Sequence, residues 1–432
     1  MNSGRNVMLY DDYSIFADRR KRLIEAIQNS KNADVGGVVL LCASLEGYKH
    51  RFRQDSTFYY FTGIVEPGAM LTLELNGKVT LYIPQYEKNR AQWIQNPIEP
   101  SSEFKTLFLV DEICYLGEKS KGYALGEVFH NSEHAILLNR IQEIVESGGM
   151  LYGYSNSSHT GWQARRFQRV CESIRAETSS FRDISFAVAT MRRVKDALEI
   201  KKMEKAAAIT ALAHDYIARL IHHCEYEYEI QALVQYSFLQ QEAMGEAFPS
   251  IVAGGSNAAT LHYTGSAKKL LNGELVVVDI GAEYDYYCAD MTRTYPVSGI
   301  FSKEQSRLYK VVLDVQKYVA SIARPGLYLN NKNEPDSSLH HLALSRLDDW
   351  GYAKYFVHGI GHFLGLDVHD VGDFSEELKP GDVITIEPGI YMHDKFLGIR
   401  IEDDYLIEEG GCRCLSDLAY KEIKDIEHLM KR

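Results

Sequence analysis

The sequence predicts an α+β protein of two domains, a smaller N-terminal α/β domain at residues 1–178 and a larger C-terminal domain at residues 179–432. Three observations predict this class. The chain has 432 residues, more than one ordinary hydrophobic core organises. Strand patterns alternate with helical patterns in the first half, which favours a sheet covered by helices. Most strand patterns of the second half come in adjacent pairs, which is typical of antiparallel sheets.

The composition is that of a globular protein, with 45% hydrophobic and 25% charged residues. A formal net charge of −12 argues against nucleic acid as a partner, because domains that bind it carry a basic surface. The polar N-terminus has no apolar signal core, and no stretch approaches the roughly 20 apolar residues that span a bilayer. The seven cysteines are irregularly spaced, as expected of reduced thiols. These features predict a cytoplasmic protein that does not bind membranes.

Five segments of the first half show helical or strand periodicity. They are helices at residues 17–28 and 135–146, and strands at residues 35–41, 70–75 and 78–83. The last two strands are joined by Asn76-Gly77, a dipeptide typical of a hairpin turn. The pattern weakens at residues 177–183, and we place the domain boundary in that stretch.

The second half combines long helical patterns with strand pairs. The predicted helices cover residues 195–220, 303–322 and 337–350, and the predicted strands cover residues 251–253, 275–280, 286–296, 383–387 and 398–407. No internal repeat or low-complexity tract interrupts this order. The second half is therefore predicted to be an antiparallel α+β domain.

Two aspartates flank the tip of one predicted hairpin, VVVDIGAEYDYYCADMTRTYPV. If the turn centres on Tyr284-Asp285, Asp279 lies directly opposite Asp290, with Cβ atoms roughly 4.5–5.5 Å apart. Asp279 follows an apolar run, where a carboxylate is costly unless it is paired or metal-bound. Two such carboxylates repel each other unless a divalent cation lies between them. The alternative is one edge carboxylate and one salt bridge to Arg293.

Three histidines lie close together in FVHGIGHFLGLDVHDVG, namely His358, His362 and His369. His358 and His362 are four residues apart, a spacing that shares one helix face. The glycines disfavour a regular helix, so loop or strand geometry is the alternative. A single histidine on an apolar face is usually a core residue with satisfied hydrogen bonds, but three so close together favour a functional site.

Two further segments carry acidic residues at or near strand ends. Glu387 in VITIEPGIYM ends an apolar strand before a Pro-Gly turn, and the alternative is a carboxylate that caps this turn. In GIRIEDDYLI, alternation puts Arg400, Glu402 and Asp404 on one face. The alternative there is a solvated edge strand with an Arg–Glu pair.

Taken together, these segments supply a hard ligand set of four carboxylates and one imidazole. Its members are Asp279, Asp290, His362, Glu387 and Glu402. The set suits Mn²⁺, with Co²⁺, Fe²⁺ or Zn²⁺ as other occupants. It exceeds the three protein ligands of an ordinary catalytic zinc. It suits two ions roughly 3.5–4 Å apart that share bridging carboxylates and a hydroxide. The sequence therefore predicts a two-metal hydrolase.

The same motifs, in this order, resemble those of the metallopeptidase family that holds aminopeptidase P, prolidase and methionine aminopeptidase, whose catalytic domain has the pita-bread fold. DIGAEYDYYCADMTRT resembles the family's two-aspartate hairpin, HGIGHFLGLDVHD its histidine segment, EPGIY its first glutamate motif and RIEDD its last. IVAGGSNAATLHYT resembles the segment with an active-site histidine, here His262. RFRQDSTFYYFTGIVEPGAMLTL resembles the N-terminal domain of aminopeptidase P and the larger prolidases, which methionine aminopeptidases lack.

The resemblance implies a role for each metal ligand. Asp279 would bind one ion with both oxygens. Asp290 and Glu402 would bridge the two ions, and His362 and Glu387 would complete the shell of the second. The bridging water would become a hydroxide and attack the scissile carbonyl.

The resemblance also implies roles beyond metal binding. Glu387 would carry a proton from the water to the departing nitrogen. His262, His358 and His369 would hold the substrate and stabilise the tetrahedral oxyanion. Arg400 would lie behind the last bridging glutamate and orient it.

The implied activity is that of a metal-dependent Xaa-Pro aminopeptidase, which acts on peptide substrates with proline at the second position. Prolidase, which cleaves Xaa-Pro dipeptides, is the second hypothesis, and the chain length and the N-terminal motif favour the first. A non-catalytic binding module on the same fold is the third, disfavoured because all the ligand positions are filled. The amide of an Xaa-Pro bond has no N–H. An apolar, histidine-rich slot could therefore hold the proline ring without a hydrogen bond to the amide nitrogen. The resemblance also implies a homodimer or homotetramer.

Overall fold

The computed structural model describes residues 12–30, 36–46, 51–87, 98–120, 130–154, 161–174 and 177–431. Contacts divide the chain into two compact units, Met1–Ala189 and Thr190–Arg432. Residues 1–11, part of the polar N-terminus in which the sequence predicts no signal core, lie outside the described residues. Residue 35, the predicted start of the first strand, also lies outside them. Within the described ranges, no helix is long and apolar enough to cross a membrane.

The described residues from 12 to 193, four residues past the unit boundary, form helices and strands in alternation. The helices are α1 (Ser14–Gln28), α2 (Ser56–Thr62), α3 (Ser102–Phe108), α4 (Ala135–Glu146), α5 (Gly161–Ile174) and α6 (Ser185–Arg193). The strands are β1 (Gly37–Cys42), β2 (Met70–Glu74), β3 (Val79–Ile83), β4 (Glu112–Tyr115), β5 (Met150–Gly153) and β6 (Phe181–Asp183). The predicted helices at 17–28 and 135–146 and the hairpin at 70–83 are confirmed.

These six strands form one mixed sheet in the order β4-β3-β2-β1-β5-β6. The pairs β1–β2 and β2–β3 are antiparallel, and the pairs β3–β4, β1–β5 and β5–β6 are parallel. Alternate residues of β1, such as Val38 and Leu40, pack with Ile141 of α4 and Val170 of α5. The predicted α/β class of the first domain is therefore confirmed, because helices cover a face of the sheet.

The second unit contains longer helices and many short strands. The helices are α7 (Ala197–Leu220), α8 (Glu227–Gln240), α9 (Lys303–Ile322), α10 (Leu339–Asp348) and α11 (Ile423–Leu429). The strands are β7 (Gly245–Glu246), β8 (Ile251–Gly254), β9 (Leu275–Ile280), β10 (Ala282–Tyr284), β11 (Tyr287–Cys288), β12 (Met291–Pro296), β13 (Val383–Ile386), β14 (Gly389–Met392), β15 (Leu397–Arg400), β16 (Asp403–Glu408) and β17 (Gly411–Cys414).

These strands form small antiparallel sheets, which confirms the predicted α+β class. Their orders are β11-β10-β7, β12-β9-β8, β13-β16-β17 and β14-β15. One buried core joins Val276 and Val278 of β9 to Ile217 of α7 and to Val312 and Val315 of α9. The sheets that carry the candidate site therefore rest on the two longest helices.

The long helix α7 begins two residues later than the sequence predicts. Asp196 precedes it, and its carboxylate accepts hydrogen bonds from the N–H groups of Leu198 and Glu199 at 2.9 and 3.0 Å. The Glu199 carboxylate accepts from the N–H of Asp196 in return, which completes a capping box. Because the Asp196 side chain caps the free N–H groups, the helix begins after this residue, although the helical periodicity of the sequence extends further towards the N-terminus.

The hairpin that carries the two aspartates has a different register from the predicted one. Thr292, rather than Asp290, lies opposite Asp279. The turn centres on Asp285-Tyr286, whose φ values are 47° and 71°. Two successive left-handed residues make the turn whose twist matches a hairpin, and the Tyr-Asp-Tyr tip does not reveal which pair adopts it. The two-residue shift keeps the aspartates on one face but makes them diagonal neighbours.

The predicted strand at 398–407 is wrong, because the chain breaks there between two sheets. β15 ends at Arg400, and β16 begins at Asp403 in another sheet. Glu402 lies in this break, and its N–H donates to the carbonyl of Thr292 at 3.1 Å. The residue is 2% exposed, which excludes a solvated edge strand. The predicted strand at 286–296 is likewise divided, into β11 and β12.

Candidate metal centre

The histidine segment lies along β13 in an extended conformation. The N–H of Thr385 donates to the carbonyl of His362 at 2.9 Å, and the N–H of Glu387 donates to the carbonyl of Ile360 at 2.8 Å. The four-residue spacing of His358 and His362 therefore does not place them on a helix face. The same pairing makes His362 and Glu387 near neighbours, because their backbones belong to adjacent extended segments.

Several acidic side chains surround Nε2 of His362. This atom lies 3.4 Å from Oδ2 of Asp290 and 3.7 Å from Oε1 of Glu387. Asp290, His362 and Glu402 each offer a ligand atom within 4.8 Å of the other two. Asp279 and Glu387 line the same cavity as these three. The structure therefore brings together all five residues that the sequence predicts as metal ligands.

Burial among like charges perturbs the carboxyl groups. Burial raises the pKa of Asp290 well above its usual range, and nearby Glu402 and Asp279 raise it further. Burial also raises the pKa of Glu402, to which Glu387 and Asp279 add. Burial raises the pKa of Glu387 to about 8, against the opposing charge of Arg400. Carboxyl groups this close together keep protons near neutral pH, unless a bound cation displaces those protons.

The donor atoms of the cluster fit divalent metal ions. Oδ1 of Asp279 and Oδ1 of Asp290 are buried and have no hydrogen-bond partner in the described part of the chain. Burial lowers the pKa of His362 to about 4, so its imidazole is neutral at pH 7. Its Nδ1 lies 3.0 Å from the carbonyl of Phe363, an arrangement that leaves Nε2 as the ligand atom. Carboxylate oxygens with one imidazole nitrogen suit first-row divalent ions.

The cluster lines a cavity of about 590 Å³. All the residues that the sequence predicts as catalytic or supporting also line it, namely His262, His358, His369, Glu387 and Arg400. His262 and His369 are exposed at its wall, whereas His358 is half-buried. The ring centroid of His369 lies 4.4 Å from that of His362. Burial lowers the pKa of His358 to about 4, and Arg400 adds to this shift.

Arg400 contacts the cluster differently from the prediction. The resemblance implied that it lies behind Glu402, but its direct hydrogen bond goes to Asp279. It reaches Glu402 through the hydroxyl of Thr292, to which Nε donates at 3.0 Å. Nη1 donates to the hydroxyl of Tyr391 at 2.8 Å, and that hydroxyl lies 2.8 Å from Nε2 of His358. One guanidinium therefore connects the predicted metal ligands to a cavity histidine.

Sequence reasoning missed two threonines that contact the predicted ligands. The hydroxyl of Thr292 donates to Oε2 of Glu402 at 2.7 Å, and that of Thr385 donates to Oε1 of Glu387 at 3.3 Å. Each threonine is two residues from a predicted ligand, since Thr292 follows Asp290 and Thr385 precedes Glu387. Strand alternation puts such pairs on one face, so that spacing was the signal that could have found them.

Arg293 does not pair with either aspartate of the hairpin. Its fully buried guanidinium donates to Oδ1 of Asp403 and to the carbonyl of Glu402, both at 2.6 Å. The alternative reading of the hairpin, a salt bridge between Arg293 and one of its aspartates, is therefore wrong. Arg293 instead holds the backbone at the break that carries Glu402.

Known proteins resemble this chain over most of its length. Residues 16–133 match the family described as "Aminopeptidase P, N-terminal domain", and residues 201–409 match "Metallopeptidase family M24". An Xaa-Pro aminopeptidase of Haemophilus influenzae is 32% identical over 447 aligned positions, which cover 96% of each chain. The chain belongs to metallopeptidase family M24. Xaa-Pro aminopeptidase 3 of Rattus norvegicus is 31% identical to this M24 chain. The alignment covers 89% of this chain and 78% of the rat protein.

A solved structure agrees with this assignment. Aminopeptidase P from Escherichia coli, with the inhibitor Pro-Leu, superimposes on the M24 chain with a TM-score of 0.80 and 25% identity, covering 97% of this chain and 98% of its own. The protein is therefore a metal-dependent hydrolase with a C-terminal pita-bread domain and a smaller N-terminal α/β domain. These were the fold and the enzyme class that the sequence predicted.

Proposed function

We propose that this M24 metallopeptidase releases the N-terminal residue from peptides with proline at the second position. The observation that carries the proposal is that four carboxylates and one neutral imidazole line a single cavity of about 590 Å³. Relatives named Xaa-Pro aminopeptidase match both the N-terminal domain and the catalytic unit, and they support this choice of substrate.

The proposed ligands are the five residues that the sequence predicts, Asp279, Asp290, His362, Glu387 and Glu402. They would hold two divalent ions, for which Mn²⁺ is the first choice and Co²⁺, Fe²⁺ or Zn²⁺ are alternatives. When bound, such a pair polarises the scissile carbonyl and makes a hydroxide available for attack at neutral pH. The unpartnered oxygens of Asp279 and Asp290 support this assignment.

Glu387 is the proposed proton carrier. In the metal-free protein burial raises the pKa of its carboxyl group to about 8, so this carboxylate is able to take up a proton inside the cavity. One oxygen accepts from the hydroxyl of Thr385, and the other lies 3.6 Å from Nδ1 of His358. This carboxylate would take a proton from the attacking water and deliver it to the proline nitrogen as the C–N bond breaks.

The three cavity histidines are proposed to bind the substrate and its developing oxyanion. His262 and His369 present exposed rings to the cavity, and the Tyr391 hydroxyl orients His358. Imidazole N–H groups aimed at the scissile carbonyl oxygen would stabilise the charge that forms there.

An apolar part of the cavity wall supports the preference for proline. Its members are Phe248, Pro249, Ile251, Leu261, Val368 and Phe374. The proline ring is apolar, and the Xaa-Pro amide has no N–H that a polar group must satisfy. The ring could therefore pack on this wall at no cost in unpaired hydrogen bonds.

The activity is tested with three peptides on the Mn²⁺-loaded enzyme: an Xaa-Pro-Xaa tripeptide, an Xaa-Pro dipeptide and an Xaa-Ala-Xaa tripeptide of equal length. We expect cleavage of the first bond of the proline tripeptide, much slower cleavage of the alanine control, and loss of activity with a chelator. Turnover of the dipeptide alone would identify a prolidase instead. Equal rates for proline and alanine would refute the proposed specificity, and no turnover with metal bound would favour the binding module.

We also propose that the protein is a homodimer or homotetramer. Sedimentation equilibrium over a range of concentrations measures the assembly mass directly. A monomer at micromolar concentration would contradict this proposal without affecting the one about activity.

A further inference from the structure

His262 lies on a loop that leaves β8 and returns towards β9, and Leu261 and Thr264 of the same loop also line the cavity. Glu227, the first residue of α8, contacts this loop from the side away from solvent. It is 0% exposed. A buried carboxylate is costly unless its oxygens are satisfied, and no step of the proposed reaction uses this one.

Four donors from the loop converge on this one carboxylate. Oε1 of Glu227 accepts from the N–H of Gly254 at 2.7 Å and from Nδ2 of Asn257 at 3.0 Å. Oε2 accepts from the hydroxyl of Tyr263 at 2.9 Å and from the N–H of Lys268 at 2.8 Å. The donors come from the beginning, the middle and the end of the loop.

The partners of this carboxylate are uncharged groups. The ammonium of Lys268 pairs with Glu274 instead, at 2.5 Å, and no cationic side chain donates to Glu227 in the described ranges. The N-terminus of α8 adds a partial positive charge beside the carboxylate. Only a carboxylate offers two oxygens that each accept two hydrogen bonds. The buried charge and the loop conformation therefore stabilise each other.

We infer that Glu227 is a positioning residue that holds His262 in place at the cavity wall. The bond to Tyr263 restrains the residue next to His262, while the other three bonds hold the two ends of the loop. Without this anchor, the imidazole of His262 would occupy several positions. The inference rests on the proposed function, because it takes His262 to contact the substrate.

Glu227→Gln tests the anchor with little change in volume. If the amide nitrogen replaces Oε2, the Tyr263 hydroxyl can turn to accept a hydrogen bond, but the N–H of Lys268 then faces another donor. If it replaces Oε1, the donors of Gly254 and Asn257 both face the amide nitrogen. Either way a buried donor is left unpaired, and we expect kcat to fall roughly 10- to 100-fold. Faster hydrogen exchange at residues 254–268 is expected with it.

Tyr263→Phe is a milder variant that removes one hydrogen bond and creates no repulsion. We expect a drop in kcat of roughly fivefold, with KM and metal content unchanged. Tyr309→Phe is the matched control, since its hydroxyl also makes one 2.9 Å bond, to the carbonyl of Lys421. It should leave kcat near the wild-type value.

A double-mutant cycle separates positioning from general loss of stability. If Glu227 and Tyr263 act through His262, Tyr263→Phe should have no effect on kcat in a His262→Ala background. An undiminished fivefold effect in that background would overturn the inference, as would unchanged loop exchange in Glu227→Gln. Failure of the wild-type enzyme to cleave the proline tripeptide would instead overturn the proposed function, and the exchange measurement would still test the anchor.

Discussion

Nη2 of Arg400 donates a 2.6 Å hydrogen bond to Oδ2 of Asp279, whose other oxygen has no hydrogen-bond partner among the described residues. Both side chains are buried. The pairing occupies one oxygen of Asp279, leaves the other available to a cation, and neutralises part of the negative charge of the carboxylate. The guanidinium of Arg400 also contacts a second carboxylate indirectly, because it donates to the hydroxyl of Thr292, which in turn donates to Glu402.

Replacement of Arg400 by lysine should weaken metal binding. A lysine ammonium cannot match the planar, forked contacts with Asp279, Thr292 and Tyr391. We expect a loss of roughly 10- to 100-fold in Mn²⁺ affinity, measured by calorimetry. Arg346→Lys, in a half-exposed pair with an aspartate, is the control. Equal affinity in the two variants would argue against an orienting role.

Asp290→Asn should remove a ligand from the middle of the cluster. Its carboxylate lies 3.4 Å from Nε2 of His362 and approaches Glu402. An amide carries no charge and binds hard cations more weakly. We expect activity to be abolished and the metal content of the purified protein to fall. Asp314→Asn, at a surface ion pair, controls for the loss of one negative charge. A variant that keeps near-full rate would refute the ligand assignment.

Metal binding should release protons at neutral pH. Burial raises the pKa of Glu387 to about 8 in the metal-free protein, so this group is protonated at pH 7 and must lose its proton to bind a cation. Affinity should therefore rise with pH between 6 and 8, with release of about one proton or more at pH 7. Calorimetric titrations in buffers of different ionisation enthalpy measure that number. A binding enthalpy independent of the buffer would contradict the prediction.

The N-terminal unit should lose stability in mild acid through His134. Burial lowers the pKa of this group from 6.5 to about 4, and Arg166 adds to the shift. The unfolded chain takes up the proton first, so stability is full above pH 6.5 and falls towards pH 4, by roughly 3 kcal/mol at most. Urea unfolding across this range should show a smaller decline in His134→Gln. His130→Gln removes an exposed charge that is a minor cause of the lowered pKa of His134, so it should reduce the decline only slightly.

Gly361→Ala should displace the histidine segment from β13. A Cβ at this position would lie 2.0 Å from the carbonyl oxygen of Thr385. We expect a loss of roughly 1–3 kcal/mol in stability, with weaker Mn²⁺ binding because His362 is the next residue. Gly410→Ala is the matched control, since a Cβ there meets nothing within 4 Å. Thermal unfolding and metal titration of the two variants measure the difference.

The sequence predicted which residues form the candidate site better than it predicted the contacts between them. The five ligand residues and the three cavity histidines all line one cavity, as the motifs indicated. They were recognisable because acidic residues next to apolar strands, and histidines among glycines, depart from the ordinary core pattern. The register of the hairpin and the break before Glu402 were not recognisable, because each depends on backbone conformation at one or two residues.

By itself, the sequence determined the fold class, five of the eleven α-helices among the described residues, and the side chains that carry the proposed metal chemistry. Tertiary structure alone decided that Asp279 faces Thr292, that Arg400 pairs with Asp279, and that Glu227 anchors the loop of His262. The physical reason is that periodicity and composition report burial within one segment. Hydrogen bonds between segments far apart in sequence depend on how those segments pack.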